Sequence, residues 1–492
     1  LKLAVHALAI DAYGYHGDEL YYLACADHLD WGYVDHPPLA VWVIGAARAL
    51  LGESLLAIRL VPVLCGLATL WLAAQMVREL GGGPFAHALA AAAVLVSGIH
   101  LALASFFSVN VLDLMWWAFG QLLLLRLLGR QSRARWAALA GVMGLGLLTK
   151  WSMLWFGFGL AAGILATDAR RWLRTPAPWL AAAGALALAS PYLFWQATHG
   201  WITLDWLAGG ANVKLRDASL LDFLGNQILS VHPLNFPIWA TGLAALLFAP
   251  SLARFRLLGV QAAVVLAFLA WTAPGIVHYP GPAYTVLLAA GAVVLERATR
   301  ARWARRLARP AMLALLLLGG LVGLPLAVPV LPEDEVASYA AELGIQVPEP
   351  YGREHHTFPQ QFSTMLGWEE TVAATARVWK RFPGEARAGV AILGASYSDA
   401  GAVDLLGARY GLPRAISAHQ SYWLWGPRDY DLETAIVVAA PPEILERWWR
   451  EVEVAETVTC PRCELWRQEI HISIVRRPRT PIPALWDELR HY

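Results

Sequence analysis

The sequence predicts a mainly α-helical protein that crosses a membrane many times and carries a soluble α/β domain at its C-terminal end. Of its 492 residues, 58% are hydrophobic and only 15% are charged, whereas soluble domains carry roughly 25% charged residues. Apolar runs of spanning length recur as far as residue 331, and the composition is polar from 332 to Tyr492. With a net charge of +1 and no basic stripe or nucleic-acid motif, the sequence gives no basis for nucleic acid as a partner.

About 11 hydrophobic runs are predicted to form the membrane domain, residues 1–331. The first, 1–10, rises only about 15 Å as a helix, half of a roughly 30 Å hydrocarbon core. We therefore expect a truncated first helix, left either by a mis-set start codon or by a missing N-terminal part. The other runs are 58–77, 85–103, 104–125, 136–149, 151–166, 177–196, 233–250, 257–276, 279–295 and 310–331.

Arginine clusters between the runs predict the orientation. They are Arg78, then 126–135, 170–174, 254–256, and six arginines within 297–309. Short arginine-rich loops face the cytoplasm, and all five clusters share one side if the polar loop 11–57 lies outside. This arrangement requires 136–166, which is too long for a single crossing, to form a hairpin that turns near Lys150-Trp151 at the outer face.

The segments outside the spans have their own predicted structure. Segment 38–51 is predicted to be an interfacial helix that starts after Pro37-Pro38, and loop 197–232 is long enough for another. The C-terminal domain, 332–492, is expected to face outside, with strands at 390–393 and 435–438 and helices at 403–410 and 443–450. It carries no nucleotide-binding fingerprint. Cys460 and Cys463 favour a local disulfide over a zinc or redox site if this end meets an oxidising compartment.

Two polar stretches precede the second run, and both carry acids. Asp18 and Glu19 are adjacent in the first, and Asp35 precedes His36 in the second. Taken alone, Gly17-Asp18 ahead of Glu19 favours a helix N-cap with an acidic first turn over a catalytic group.

Several stretches together, in this order, resemble the bacterial dolichyl-phosphate-mannose protein mannosyltransferase-like family, glycosyltransferase family 39, which is related to the lipid A aminoarabinose transferases. The resemblance covers nearly the whole chain. The residues that carry it are 15–22, 32–39, Arg59-Leu60, Asp113, 146–150, Ser190-Pro191, 199–201, 278–280, 359–362 and 421–427.

The resemblance implies a GT-C fold and a glycosyltransferase, of hexosyl or pentosyl type, in the bacterial cytoplasmic (inner) membrane. It implies a polyprenyl-phosphate-linked sugar as donor and transfer with inversion at the outer, periplasmic face. The acceptor hydroxyl would belong to a protein, to lipid A or lipopolysaccharide, or to an envelope glycan. The alternatives are a lipid-linked sugar transporter (a flippase) and a non-catalytic binding protein.

With the resemblance, a catalytic role for Asp18 is favoured over a role in the helix N-cap. Asp18 becomes the expected base for the acceptor hydroxyl. Glu19, whose side chain diverges from that of Asp18, is expected to orient a partner or bind the acceptor, or simply to pair with the helix dipole. Asp113 is an acid inside a spanning run and is expected to be functional. Its alternative is a hydrogen bond to Asn110 or Ser108 that joins helices.

The leaving phosphate requires positive charge or hydrogen-bond donors. Lys150 is the candidate cation, and its alternative is a lysine that extends to the headgroups. His278 and Tyr279 lie at another outer turn and are candidates for the same phosphate, or belong to an interfacial belt. Asp35 and His36 either approach the same cavity, where His36 donates to the phosphate or ligates a metal, or form an interfacial loop. A divalent cation is an open alternative to a metal-free cluster, and its candidate ligands are His16, Asp18, Glu19, Asp35 and His36.

Overall fold

The predicted apolar runs form helices in the computed structural model, which describes residues 1–214, 218–344, 358–480 and 484–491. The helices of the membrane part are α1 (Lys2–Leu8), α2 (Gly17–Ala26), α3 (Leu39–Leu51), α4 (Leu55–Glu79), α5 (Pro84–Val96), α6 (Gly98–Ala102), α7 (Val109–Gly129), α8 (Arg133–Leu147), α9 (Ser152–Ala166), α10 (Pro176–Thr198), α11 (Ile202–Lys214), α12 (Leu220–Val231), α13 (Phe236–Phe248), α14 (Arg256–Thr272), α15 (Gly281–Ala298) and α16 (Arg309–Ala327).

Not every helix spans a bilayer by its own length. Among the described residues, five helices are long and apolar enough to cross a membrane, or seven if each of two bent helix pairs counts as one span. Other runs form shorter helices, such as α5 with 13 residues and α15 with 18. Run 85–103 divides into α5 and α6 at Ser97, whose backbone is extended. The predicted polytopic helical fold is confirmed.

The arginine-rich ends of the helices meet at one end of the bundle. Arg126 Nε lies 3.0 Å from Glu79 Oε1 at the end of α4, and Arg254 and Arg297 donate to the carbonyls of Glu79 and Leu80. Arg135 donates to the carbonyl of Arg126. The 168–174 segment joins the same end, since its Trp172 ring packs on Trp136 at the start of α8, with ring centroids 5.2 Å apart. The chain turns between α8 and α9 at residues 148–151, as predicted.

The C-terminal part combines short helices with a four-stranded sheet of order β1-β2-β4-β3. Strands β1 and β2 are parallel, and β4 is antiparallel to both β2 and β3. The elements are α17 (Glu333–Glu342), α18 (Gln360–Ser363), α19 (Trp368–Trp379), β1 (Ala391–Gly394), α20 (Tyr397–Leu406), α21 (Ser421–Leu424), β2 (Thr434–Val438), α22 (Pro442–Leu445), β3 (Trp449–Thr459), β4 (Glu469–Pro478) and α23 (Ala484–Leu489).

The helix predicted over 443–450 is wrong beyond its first turn. Helix α22 ends at Leu445, and β3 begins at Trp449. The segment contains glutamates and tryptophans that a helix accommodates, and its strand character comes from pairing with β4 rather than from local preference. The division of the chain at 331/332 stays a prediction, and its residues 345–357, 481–483 and 492 lie outside the described part.

Helix α20 packs directly on α2, so the C-terminal part touches the polar loop of the membrane part. A side chain at Gly401 of α20 would place its Cβ 2.9 Å from the carbonyl oxygen of Leu20. Glycine therefore allows the two helices to approach this closely. Residues at the start of α20 are brought to the start of α2 by this contact.

Candidate active site

A cavity of about 1300 Å³ lies between the membrane part and the C-terminal part. Among the predicted site residues, Asp18 and His278 line it. Its polar lining includes His16, Asn110 and His278 from the membrane part and Ser396, Tyr397, Ser398, His419 and His491 from the C-terminal part. Its apolar lining includes Val96, Ile99, Leu103, Leu229 and Leu326 of the membrane part and residues of the C-terminal part such as Leu393 and Trp448. The cavity therefore offers both apolar and polar surface.

The start of α2 is capped by His16, not by Asp18. The Nδ1 atom of His16 accepts from the Asp18 backbone N–H at 3.1 Å, and Glu19 Oε2 accepts from the His16 N–H at 2.8 Å. The His16 ring stacks on Phe106 with centroids 4.0 Å apart, and burial lowers its pKa to about 4. The neutral imidazole serves as the cap, so the interpretation of Asp18 as the N-cap is wrong, and the Asp18 carboxylate projects from the first turn.

The Asp18 carboxylate is partly buried at the cavity wall and receives one hydrogen bond from the C-terminal part. The Tyr397 hydroxyl donates to Asp18 Oδ1 at 3.2 Å. Burial raises the pKa of Asp18 above its ordinary value, while this hydrogen bond and the nearby His36 oppose the rise. A carboxylate with a raised pKa accepts a proton more readily than an ordinary one.

Glu19 is turned away from the cavity and is fully buried against Arg59. Its oxygens lie 3.1 Å from Arg59 Nε and 3.0 Å from Arg59 Nη2, and it also accepts from the Phe107 N–H at 2.9 Å. Arg59 in turn donates to the carbonyls of Ile10 and Gly14. The pair joins α2 and α4 to the start of α7, so Glu19 positions the loop that carries Asp18.

Asp35 and His36 lie beside this site but do not line the cavity. The Tyr21 hydroxyl donates to Asp35 Oδ1 at 2.7 Å, and the Tyr21 ring stacks on Tyr397 with centroids 4.4 Å apart. His36 Nδ1 is 3.0 Å from the Pro37 carbonyl and therefore carries a proton, and its Nε2 is 3.9 Å from Asp35. Burial raises the pKa of Asp35. Asp35 thus contacts the Asp18 region through two tyrosines.

Three predicted phosphate-binding residues lie together on another side of the cavity, where His278 lines it and Lys150 and Tyr279 do not. Lys150 Nζ donates to Asn110 Oδ1 at 2.6 Å and lies 4.6 Å from the centroid of the Tyr279 ring. Asn110 and His278 face the cavity. Burial and the charge of Lys150 lower the pKa of His278 to about 3, so this histidine is a neutral hydrogen-bonding group and Lys150 is the cation of this wall.

Asp113 lies one turn below Asn110 in α7 and is buried. Ser152, the first residue of α9, donates to its Oδ1 at 2.5 Å. Asn110 instead pairs with Lys150, and Ser108 accepts from the Asn110 N–H at the start of α7. The alternative partners named for Asp113, Asn110 and Ser108, are thus engaged elsewhere, and Asp113 instead joins α7 to α9 through Ser152. The functional role expected for Asp113 stays a prediction.

The five candidate metal ligands do not converge. Within the described ranges, no group of three or more His, Cys, Asp or Glu side chains could hold a metal ion. Glu19 is committed to Arg59 and His16 Nδ1 to the helix cap. The divalent cation thus has no preformed ligand set in the part of the chain that the structure describes.

Sequence reasoning missed the contribution of Tyr397. Its signal was the pattern Ser396-Tyr397-Ser398-Asp399 directly after a predicted strand, which is typical of a capping box at a helix start. Ser396 and Asp399 do form this box. In the tail, the Trp425 ring stacks on the His28 ring with centroids 4.1 Å apart.

Comparisons with known proteins agree with this architecture. Residues 35–195 match the family model described as dolichyl-phosphate-mannose-protein mannosyltransferase. The lipid A galacturonosyltransferase RgtD of Rhizobium johnstonii is 30% identical over 247 residues, which are 47% of this chain and 50% of that protein. The chain thus spans about half the length of this curated relative.

Solved structures extend the likeness to nearly the whole fold. ArnT from Cupriavidus metallidurans bound to undecaprenyl phosphate superposes with a TM-score of 0.63 at 15% identity, and the match covers 96% of each chain. Its apo form gives a TM-score of 0.62 at 16% identity, again over 96% of both chains. The resemblance drawn from the sequence is therefore confirmed: the chain is an integral membrane protein with the GT-C fold, similar to the family 39 glycosyltransferases and to lipid A-modifying enzymes.

Proposed function

We propose that the chain is a membrane glycosyltransferase that moves a sugar from a polyprenyl-phosphate donor to an acceptor hydroxyl. The observation that carries this proposal is one cavity that holds a carboxylate with a raised pKa, Asp18, together with a wall that Lys150 supports through Asn110. The name of RgtD and the undecaprenyl phosphate bound to ArnT support the same reaction class.

The apolar part of the cavity suits the prenyl chain of the donor, and the polar part suits its phosphate and sugar. Asn110 and neutral His278 would donate hydrogen bonds to the phosphate. Lys150, held 2.6 Å behind Asn110, would supply the positive charge. As the bond between the anomeric carbon and the phosphate oxygen breaks, charge develops on the leaving phosphate, and this wall stabilises it.

Asp18 would take the proton of the acceptor hydroxyl as the acceptor oxygen bonds to the anomeric carbon. Tyr397 orients the Asp18 carboxylate, and Glu19 with Arg59 fixes the loop behind it. In a single displacement the acceptor enters opposite the leaving phosphate, so the anomeric configuration is inverted. Asp35 supports this arrangement through Tyr21 and Tyr397, and Asp113 acts by fixing Ser152 beside Lys150.

The reaction is proposed for the periplasmic face of a bacterial inner membrane. The arginine-rich ends gather at the opposite end of the helices from the cavity, and such ends face the cytoplasm. A Cys460–Cys463 disulfide in the C-terminal part also suits an oxidising compartment. The acceptor that RgtD indicates is lipid A or a related lipopolysaccharide saccharide, and the family model's description indicates a protein.

Substitution of Asp18 tests the proposal directly. With purified protein and polyprenyl-phosphate sugars as donors, Asp18→Asn should lower transfer to a lipid A acceptor about 100-fold or more, because the general base is lost. Asp11→Asn, an exposed acid of the same loop, is the matched control and should leave the rate unchanged.

Two outcomes oppose the proposal. A wild-type transfer rate in Asp18→Asn would show that Asp18 is not the general base. Movement of the lipid-linked sugar across vesicles without transfer, in wild type and variant alike, would favour the flippase alternative. Transfer to protein but not to lipid A would change the acceptor and leave the reaction class intact.

A further inference from the structure

A second pocket lies at the arginine-rich end of the bundle, far from Asp18. Its volume is about 460 Å³. Helix α15 starts near His278 and ends beside this pocket, and its 18 residues rise about 27 Å. The pocket is lined by Gly81, Glu296, Arg297, Arg300, Arg305 and Arg309. Four guanidinium groups therefore surround a space that has a single carboxylate.

The single carboxylate is already committed to backbone groups. Glu296 accepts from the N–H groups of Gly83 at 2.5 Å, Phe85 at 3.0 Å and Ala86 at 3.2 Å, which begin α5. Since both of its oxygens serve this helix start, Glu296 neutralises the pocket only in part. The remaining positive charge attracts an anion.

Two of the arginines are held in place, and two are available. Arg297 donates to the Leu80 carbonyl at 2.9 Å, and Arg309 donates to the Glu296 carbonyl at 2.8 Å and to Thr299 Oγ1 at 3.0 Å. Neither Arg300 nor Arg305 makes a side-chain hydrogen bond or ion pair with any described residue. Fixed and free guanidinium groups around one space form a ready site for a phosphate, which arginine binds through paired N–H donors.

Exposed apolar side chains beside the pocket indicate that it lies at headgroup depth. Its segment includes a π-helical turn, Ala304–Ala308, that leads into α16. On this segment Trp303 and Leu307 are 67% and 69% exposed, and exposed tryptophan beside a spanning helix is typical of the membrane interface. Basic pockets between helices at the cytoplasmic side bind anionic lipid headgroups. We propose that this pocket binds the phosphate of an anionic phospholipid from the leaflet at the arginine-rich end.

The same segment supplies a matched control. Arg305 and Arg309 line the pocket, whereas Arg302 and Arg306, in the same segment, do not line it. Two double variants remove the same charge from the same segment. One combines Arg300→Gln with Arg305→Gln, and the other combines Arg302→Gln with Arg306→Gln. Only the first pair alters the pocket. All four side chains are exposed, so both double variants are expected to fold.

The experiment is native mass spectrometry of the full chain in neutral detergent with added phosphatidylglycerol, cardiolipin, phosphatidylcholine or inorganic phosphate. The wild type and the Arg302/Arg306 double variant should retain phosphatidylglycerol and cardiolipin equally. The Arg300/Arg305 double variant should bind these lipids about 10-fold or more weakly, because each arginine near an anionic surface contributes on the order of 1 kcal/mol. The single variant Arg300→Gln should show a smaller loss in the same direction.

Four results would overturn the proposal. Equal losses of lipid affinity in the two double variants would mean that the lipid is attracted by the charge of the whole segment and not bound in the pocket. Wild-type binding by the Arg300/Arg305 variant, or equal retention of phosphatidylcholine, would show that these groups do not recognise the phosphate of an anionic lipid. Inorganic phosphate bound as tightly as the lipids would make this a site for a soluble anion.

Discussion

Asp18 and Glu19 are adjacent in the sequence, but their carboxylates serve different parts of the molecule. Neighbouring positions on a helix point apart, so one faces the cavity and the other faces Arg59 in the protein interior. Because His16 caps the helix, Asp18 is released from the role that its sequence position suggests. A partly buried carboxylate at the cavity wall and a fully buried partner of Arg59 thus arise from one acidic pair.

At the residue scale, Tyr397 affects the pKa of Asp18, the proposed base. Its hydrogen bond favours the charged carboxylate of Asp18 and so lowers the pKa that burial raises. With Tyr397→Phe the pKa of Asp18 should rise, and the acid limb of the transfer rate should move to higher pH by about one unit or less. The pH profile of transfer measures this. Tyr430→Phe, in the same part of the chain, is the control, and an unchanged limb in Tyr397→Phe would contradict the assigned hydrogen bond.

Lys150 should matter for the donor and not for the acceptor. Lys150→Gln removes the charge proposed to stabilise the leaving phosphate, while it keeps a side chain able to donate a hydrogen bond to Asn110. Because a charge-assisted hydrogen bond is lost, the transfer rate at limiting donor concentration should fall about 10-fold or more. Initial rates at varied donor and varied acceptor separate the two effects. The control is Lys380→Gln, at an exposed lysine that follows α19, and it should behave as wild type. If Lys150→Gln changed only the dependence of the rate on acceptor concentration, that result would argue against phosphate binding by Lys150.

At the scale of elements, the Glu19–Arg59 pair ties α2 to α4. Both side chains are almost fully buried, so Glu19→Gln leaves the Arg59 charge without its partner. Removing one member of a buried pair costs about 3–5 kcal/mol, and thermal unfolding in detergent should show the loss. Glu79→Gln breaks the partly exposed pair with Arg126 and should cost about 1 kcal/mol or less. Equal destabilisation by the two variants would mean that burial does not strengthen the first pair.

At the scale of the whole molecule, the sequence could predict those elements that depend on local residue pattern. Spanning helices require apolar runs, so run 177–196 predicts α10 (Pro176–Thr198) closely. Strand β3 was missed because its side chains are largely outside the core and its pairing with β4 is a tertiary effect. The bond from Tyr397 to Asp18 joins residues 379 positions apart. No local pattern encodes such a contact, since it depends on how α20 packs on α2.

The proposed orientation of the molecule in the membrane can be measured. The arginines of five loops meet at one end, and the polar loop with Asp18 lies at the other, so a single labelling experiment fixes both. Cys25 and Cys65 are buried, and Cys460 and Cys463 are bonded to each other, which leaves an introduced cysteine as the reactive thiol. A membrane-impermeant maleimide applied to spheroplasts should label Glu53→Cys and should spare Arg302→Cys until the membrane is permeabilised. Labelling of Arg302→Cys in intact spheroplasts would show that the protein has the opposite orientation. The cavity would then face the cytoplasm, a compartment that holds nucleotide sugars.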